Sequence, residues 1–338
     1  MVDIVVPDPM SAIARRRTRW LFRFPVLGVV LRRLIIAVPL LFVVSGLSFF
    51  LVALTPGDAA RYILGPDAPE SAYENLRHAL GLDSPAYTQY WHWLSHAVHG
   101  DLGISLYTDE RVTRLIDQRL PVTVSLIIGS LLISVIGGVC LGMFSAIRGG
   151  AVGRAVDAFA LIGFALPAFW VAAELIALFA VRWRIFPATG YVPLLQSPSL
   201  WLKSMALPVI ALGLGGIAAI AKQTREVMLD VLDAEYIRMA WANGVSAKSI
   251  FFRHALKNAS IQVVTVLGVR AVALLSGTVL VEIVFALPGL GSLAVNAALQ
   301  HDLPLVEGVV VYFTVIVVAI NLVIDIAYTF LNPKVRTQ

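Results

Sequence analysis

VTVSLIIGSLLISVIGGVCLGMFSAI, residues 122–147, runs for twenty-six positions without a charged side chain. At about 1.5 Å of rise per residue, a helix of that length measures about 39 Å, enough to cross a hydrocarbon layer of about 30 Å. In lipid every backbone amide must find its partner inside the segment, and for a single run the α-helix is the structure that does so. Working outward, comparable stretches occupy 34–54, 158–181, 206–221, 261–284 and 308–331. The run at 206–221 is the shortest and holds Pro208, Gly213, Gly215 and Gly216, so it is expected to tilt or to be wrapped by its neighbours. Six spans make this an all-α polytopic membrane protein.

Composition agrees. The 338 residues are 59% hydrophobic and 14% charged, against about 45–50% and about 25% in soluble domains. A soluble globule, a disordered chain and a nucleic-acid-binding domain are excluded on that ground. The single cysteine, Cys140, cannot close an intramolecular disulfide or build a cysteine metal cage. With an even number of spans both termini share a side, and outside the spans lysine and arginine divide seventeen to eight in favour of that side. The positive-inside rule then puts both termini and the loop 222–260 in the cytoplasm. Trp183, Tyr191 and Trp201 fall where an interfacial aromatic belt is expected. The Arg-rich start followed by an apolar run reads as a retained first helix, since the run is long and no small-residue cleavage pattern follows it.

The chain therefore divides into a basic cytoplasmic arm (1–33), a first span (34–54), an extracytoplasmic cap (55–121), a five-helix core (122–331) and a short cytoplasmic tail (332–338). In the cap, Leu76, Leu80 and Leu82, then Tyr90, Trp93, Leu94 and Ala97, predict short amphipathic helices broken at Gly81, Pro85 and Gly100. The loop 222–260 predicts an extension of the fourth span, a short helix rich in small residues, a turn at Gly244 and a helical return into the fifth span.

That loop carries the most specific wording in the sequence. Glu235-Tyr236-Ile237-Arg238 is followed by Ala240, Ala242 and Gly244, then by Arg253-His254-Ala255-Leu256 and Asn258-Ala259. It resembles the EAA loop of ABC importer permeases, and within them the B-type permeases of dipeptide and oligopeptide importers. PGD at 56–58, GLD at 81–83, GDLG at 100–103, RLPVT at 119–123, LPAFW at 166–170 and PGLG at 288–291 fall in that family's order, and Asn321, Asp325, Tyr328 and Asn332-Pro333-Lys334 resemble its last helix. The likeness covers residues 32–336. Departures are the long N-terminal arm, Arg270 where a neutral polar residue is commoner in the family, and the histidine-rich outer helix.

The resemblance implies a type I ABC importer permease fold with six transmembrane helices and a small helical cap. It places the chain in the bacterial plasma (inner) membrane. It also implies a second, C-type permease, two ATPase subunits that bind ATP and Mg, an extracytoplasmic substrate-binding protein and a peptide cargo. Glu235, Tyr236, Arg238, Ala240, Ala242, Gly244 and Arg253 are then expected to couple to the ATPase. The sequence itself contains no Gly-Lys dipeptide, hence no phosphate-cradling P-loop, and no H-E-x-x-H or G-x-S-x-G motif. This chain is accordingly expected to be a conduit without catalytic residues or a cofactor of its own.

Glu174, Arg270, Glu282 and Asp325 lie inside spans, where a charge is costly and tends to face protein or an aqueous path. Arg270 and Glu282 suit the carboxylate and ammonium of a peptide, with Glu174 as a third pathway candidate; a structural pairing to neighbouring helices is the alternative for each. Asn321 and Asp325, at i and i+4, suit helix packing. The cap is the sizeable outer surface, and Asp67, Glu70, Glu74 and Arg77 are its candidates for receptor docking. His92, His96 and His99 share a helix face and permit either a metal site or an interfacial face. Nickel or haem importers of the same branch remain alternative cargo classes, and a secondary transporter the alternative mechanism, though no internal repeat supports the latter.

Overall fold

The computed structural model describes residues 25–55, 57 and 59–331. The arginines of the arm from Arg15 to Arg23, Pro56 and Asp58 of the PGD motif, and the closing Asn332-Pro333-Lys334 lie outside the described residues. Helix α1 spans Pro25–Ala53. The cap holds α2 (Ala59–Leu64), α3 (Glu70–Ala79) and α4 (Ala86–Ala97). Then come α5 (Val112–Arg148), α6 (Gly150–Ala165), α7 (Ala168–Leu175) with a wide π turn at Ile176–Arg182, and α8 (Pro198–Asp233). The remainder is α9 (Glu235–Ala242), α10 (Ala247–Val284), α11 (Leu290–Leu299) and α12 (Leu303–Leu331). Among the described residues five helices are long and apolar enough to cross a membrane, six if α6 and α7 count as one span.

The organising element is α8. Its most apolar stretch is 67% buried, against 28% or less in the other continuous spans. The sequence made this run look short because only its middle is uniformly apolar. As a 36-residue helix it is about 54 Å long, so its polar end extends well past the bilayer. It packs on α5 with backbones almost touching: a Cβ placed on Gly142 would sit 2.4 Å from the Ala221 carbonyl oxygen. The Ser134 hydroxyl donates to the Gly213 carbonyl across the same seam at 3.0 Å. Small residues with hydroxyl crosslinks are what lets helices associate where lipid removes the hydrophobic driving force.

The third span is not the continuous helix expected at 158–181. It breaks at Leu166-Pro167, and the two pieces meet at 103°. Pro167 has no N–H for the preceding turn, and its ring pushes Leu166 out of helical geometry to φ −85, ψ 122. The broken pair still travels the length of α8. Near one end Asp157 on α6 pairs with Arg225 at 3.2 Å; near the other, Phe186 and Tyr191 beyond α7 pack in a cluster with Trp201. Those two α8 residues are 24 positions, about 36 Å, apart.

Helix α5 starts at Val112, so residues 112–121, assigned to the cap from sequence, are already helical, with Pro121 inside the helix. The cap rests on a core of Phe49, Tyr90, Trp93, Leu94, Leu102 and Val112 together with Leu290 and Leu305. Asp302 stitches it down: its buried carboxylate accepts from the Ser105 hydroxyl, from the Leu106 amide at 3.2 Å and from the Leu305 amide at 3.3 Å. Helix α11 was not expected; at ten residues it cannot span, and it lies in the same core through Leu290, Leu293 and Ala297. At the opposite end Arg33 holds Asp325 through two nitrogens, Nη2 at 3.0 Å, and ties α1 to α12.

Candidate functional site

Helix α9 stands at the end of the molecule remote from the cap. One of its eight residues, Ile237, is buried. Tyr236, Met239 and Trp241 are 49%, 66% and 45% exposed, an apolar load that water does not favour on a free surface. Glu235, Arg238, Lys248 and Arg253 surround them, all exposed. The helix ends in a Schellman turn: the Gly244 amide donates to Trp241 O at 3.0 Å and the Val245 amide to Ala240 O at 3.1 Å. Gly244 has φ +75, while a Cβ there would meet nothing within 4 Å. The glycine is therefore required by the left-handed backbone, in keeping with the turn expected there from the sequence.

The attachment of α9 is rigid on both sides. Ala234 separates it from α8, and Ser246 caps α10, accepting from the Ser249 amide at 3.4 Å. Beneath it, Met228 of α8, Ala146 of α5 and Ala255 and Ala259 of α10 form a buried cluster with Phe251 packed against it. Trp241 meets Phe251 edge to face at 6.4 Å, and Asn258 Nδ2 donates to the Tyr236 hydroxyl at 3.0 Å. A push on α9 thus reaches the central helix α8 and the long helix α10 together.

The intramembrane charges are not brought together. Glu282 is fully buried at the cap end of α10; its carboxylate accepts from the Thr123 hydroxyl at 2.6 Å and from the Ser292 amide at 2.9 Å, while the Leu290 amide donates to Thr123 Oγ1 at 2.8 Å. The carboxyl group is seated on the N-terminus of α11, where free amides supply its hydrogen bonds. This corrects its placement among pathway residues: no face of the carboxylate is open. The same contact joins two of the motifs, since Thr123 closes RLPVT and Leu290, within PGLG, begins α11. Glu174 is exposed on α7 and does not line the recess that holds Arg270. That recess, about 190 Å³, lies between α6, α7, α8 and α10, with the Arg270 guanidinium 4.9 Å from the Phe164 ring centroid.

Residues 138–337 match the family described as the binding-protein-dependent transport system inner membrane component, and residues 26–127 match its N-terminal membrane component. The chain belongs to this family. A Brucella abortus protein that carries the provisional name of a peptide transport system permease is 41% identical over 310 residues, 91% of this chain and 99% of that one. A Sinorhizobium fredii protein named probable peptide ABC transporter permease is 39% identical over 308 residues, 91% of this chain and 98% of its own length. The glutathione transport system permease protein of Escherichia coli K12 is 38% identical over 311 residues, 92% of this chain and 99% of that one. The arrangement of spans is the type I ABC permease fold, and a permease of such a system works with ATPase and substrate-binding partners.

On this permease the cap residues read from sequence separate into two groups. Glu70 is paired with Arg61 at 3.3 Å, and Arg77 is turned toward Asp83 at 3.2 Å and lines a small cavity with His301. Asp67 and Glu74 are exposed, and α3 buries none of its residues. The His92 and His96 rings lie with centroids 4.7 Å apart, tilted by 43°; His96 Nδ1 donates to the His92 carbonyl and His99 Nδ1 to the Ser95 carbonyl, at 2.8 and 2.7 Å. All three histidines line an open groove of about 920 Å³. Among the described residues no three His, Cys, Asp or Glu side chains are gathered as a metal site.

Proposed function

We propose that this permease forms half of the pathway of an ATP-driven importer of short peptides, and that α9 is the element gripped by a separate ATPase subunit. The second half would be a C-type permease, with two ATPase subunits holding ATP and Mg, and a receptor delivering cargo from outside. Peptide cargo is taken from the names of the relatives above. The observation that carries the coupling role is the exposed apolar face of α9 on a helix locked into both α8 and α10. Glu235, Arg238 and Arg253 then form the polar rim of that contact, with Tyr236, Ala240, Ala242 and Gly244 shaping its centre. The orientation follows the arginine and lysine distribution, with α9 and both termini cytoplasmic. Helix α3 offers Asp67 and Glu74 to the receptor on the other side.

The reading is tested in vesicles containing the complete transporter, with receptor and trialanine outside. Accumulation is expected with ATP inside and none with an ion gradient alone. Uptake by this chain by itself, driven by a proton or sodium gradient, contradicts it and favours a secondary transporter.

A further inference from the structure

The recess beside Arg270 holds a combination that packing does not explain. Arg270 lies inside the apolar run 261–284 of α10, about 14 Å from its start and about 21 Å from its end, within the hydrocarbon depth. It has no ion pair or hydrogen bond among the described residues. Its one contact of note is the face of Phe164, on the last turn of α6 just before the break at Pro167. The rest of the lining is apolar or small, including Leu166, Val171 and Leu274, and holds no carboxylate. A permanently charged group at this depth requires a counter-ion or an aqueous path.

The geometry of the guanidinium indicates what fits. The Phe164 ring offers the cation a π face but takes none of its N–H donors as a hydrogen-bond acceptor would, and the edge of a guanidinium takes a carboxylate through two parallel hydrogen bonds. We infer that the recess is a carboxylate subsite of the translocation pathway, in which Arg270 receives the terminal carboxylate of a passing peptide while the apolar walls accept its last side chain. Phe164 is the positioning residue: it holds the guanidinium toward the recess at the point where the broken span turns. The inference rests on the peptide-importer reading and adds to it the group that is recognised.

The test uses the complete transporter in vesicles, with uptake of trialanine and of trialanine amide measured for wild type and for Arg270→Gln. The same receptor serves both, so its own preference cancels when the acid-to-amide ratios are compared. The ratio is expected to fall about tenfold in Arg270→Gln, the scale of one charge-assisted hydrogen-bonded contact, with partial return in Arg270→Lys and an intermediate loss in Phe164→Ala. A ratio within twofold of wild type overturns the subsite. So does failure of Arg270→Gln to co-purify with its partner subunits, which makes the residue a structural ion pair across the permease interface. Absence of trialanine uptake by the wild-type transporter is the distinct result that removes the importer reading, and the subsite with it.

Discussion

Glu282 shows how a single carboxylate is assigned by its neighbours and not by its type. From sequence it was one of several charges in apolar runs; in the fold it is enclosed by Thr123 and the first amides of α11. Removing a buried acceptor leaves its donors without partners, at about 1–3 kcal/mol for each group. Glu282→Ala is therefore expected to lower the melting temperature of the detergent-solubilised protein, and Glu282→Gln, which keeps one acceptor oxygen, to lower it less. Equal stability of Ala and wild type would contradict the clasp. Sequence spacing gave no access to this contact, because Thr123 and Glu282 are separated by 159 positions and only the fold brings them together. Arg33 and Asp325, 292 positions apart, pose the same difficulty.

At the scale of elements, long apolar helices and the α9 turn were readable because each is a local property: hydropathy over about twenty residues, or a glycine ending a short helix. The bend of the third span was also local. LPAFW contains the proline that causes it, but an apolar run with one proline still reads as a span. Helix α11 was hidden because its ten residues depend on burial against Leu305 and Val306 of α12 for their stability. Two glycines, Gly142 in the α5–α8 seam and Gly268 between α10 and α12, give a matched pair of expectations. Gly142→Ala places a methyl 2.4 Å from a backbone oxygen and is expected to destabilise by about 1–3 kcal/mol. Gly268→Ala meets Ile324 at an ordinary 3.5 Å and is expected to be neutral or mildly stabilising, since alanine is the better helix former. Thermal unfolding of the two variants, followed by fluorescence-detected size exclusion, checks both; equal melting temperatures would refute the tight seam.

Across the whole molecule, the cap and α9 sit at opposite ends of one connected body. The cap is fastened to α12 and α11 through Asp302 and the Leu290 core, α11 is fastened to α10 through Glu282, and α10 continues to α9. On the proposed reading, receptor arrival at one end and nucleotide-driven closure at the other would therefore act on the same helices. Moving such a gate from 1:99 to 99:1 takes about 5.5 kcal/mol of differential binding, which a large protein interface supplies. At the cap, Asp67→Lys with Glu74→Lys is expected to slow receptor-stimulated ATP hydrolysis several-fold at low salt, with the difference shrinking as salt screens the exposed charges. A salt-independent loss, or none, would argue against docking through α3.

The central claim is that α9 transmits the ATPase stroke, and Gly244 allows it to be tested without disturbing packing. Leucine there has open space but opposes the left-handed turn at φ +75 by about 1–2 kcal/mol, so it alters the angle at which α9 is presented. The decisive measurement is the number of ATP molecules hydrolysed per trialanine accumulated by the complete transporter in vesicles, wild type against Gly244→Leu. Hydrolysis that continues while uptake falls at least tenfold is the expected result; an unchanged ratio at wild-type uptake would contradict the account.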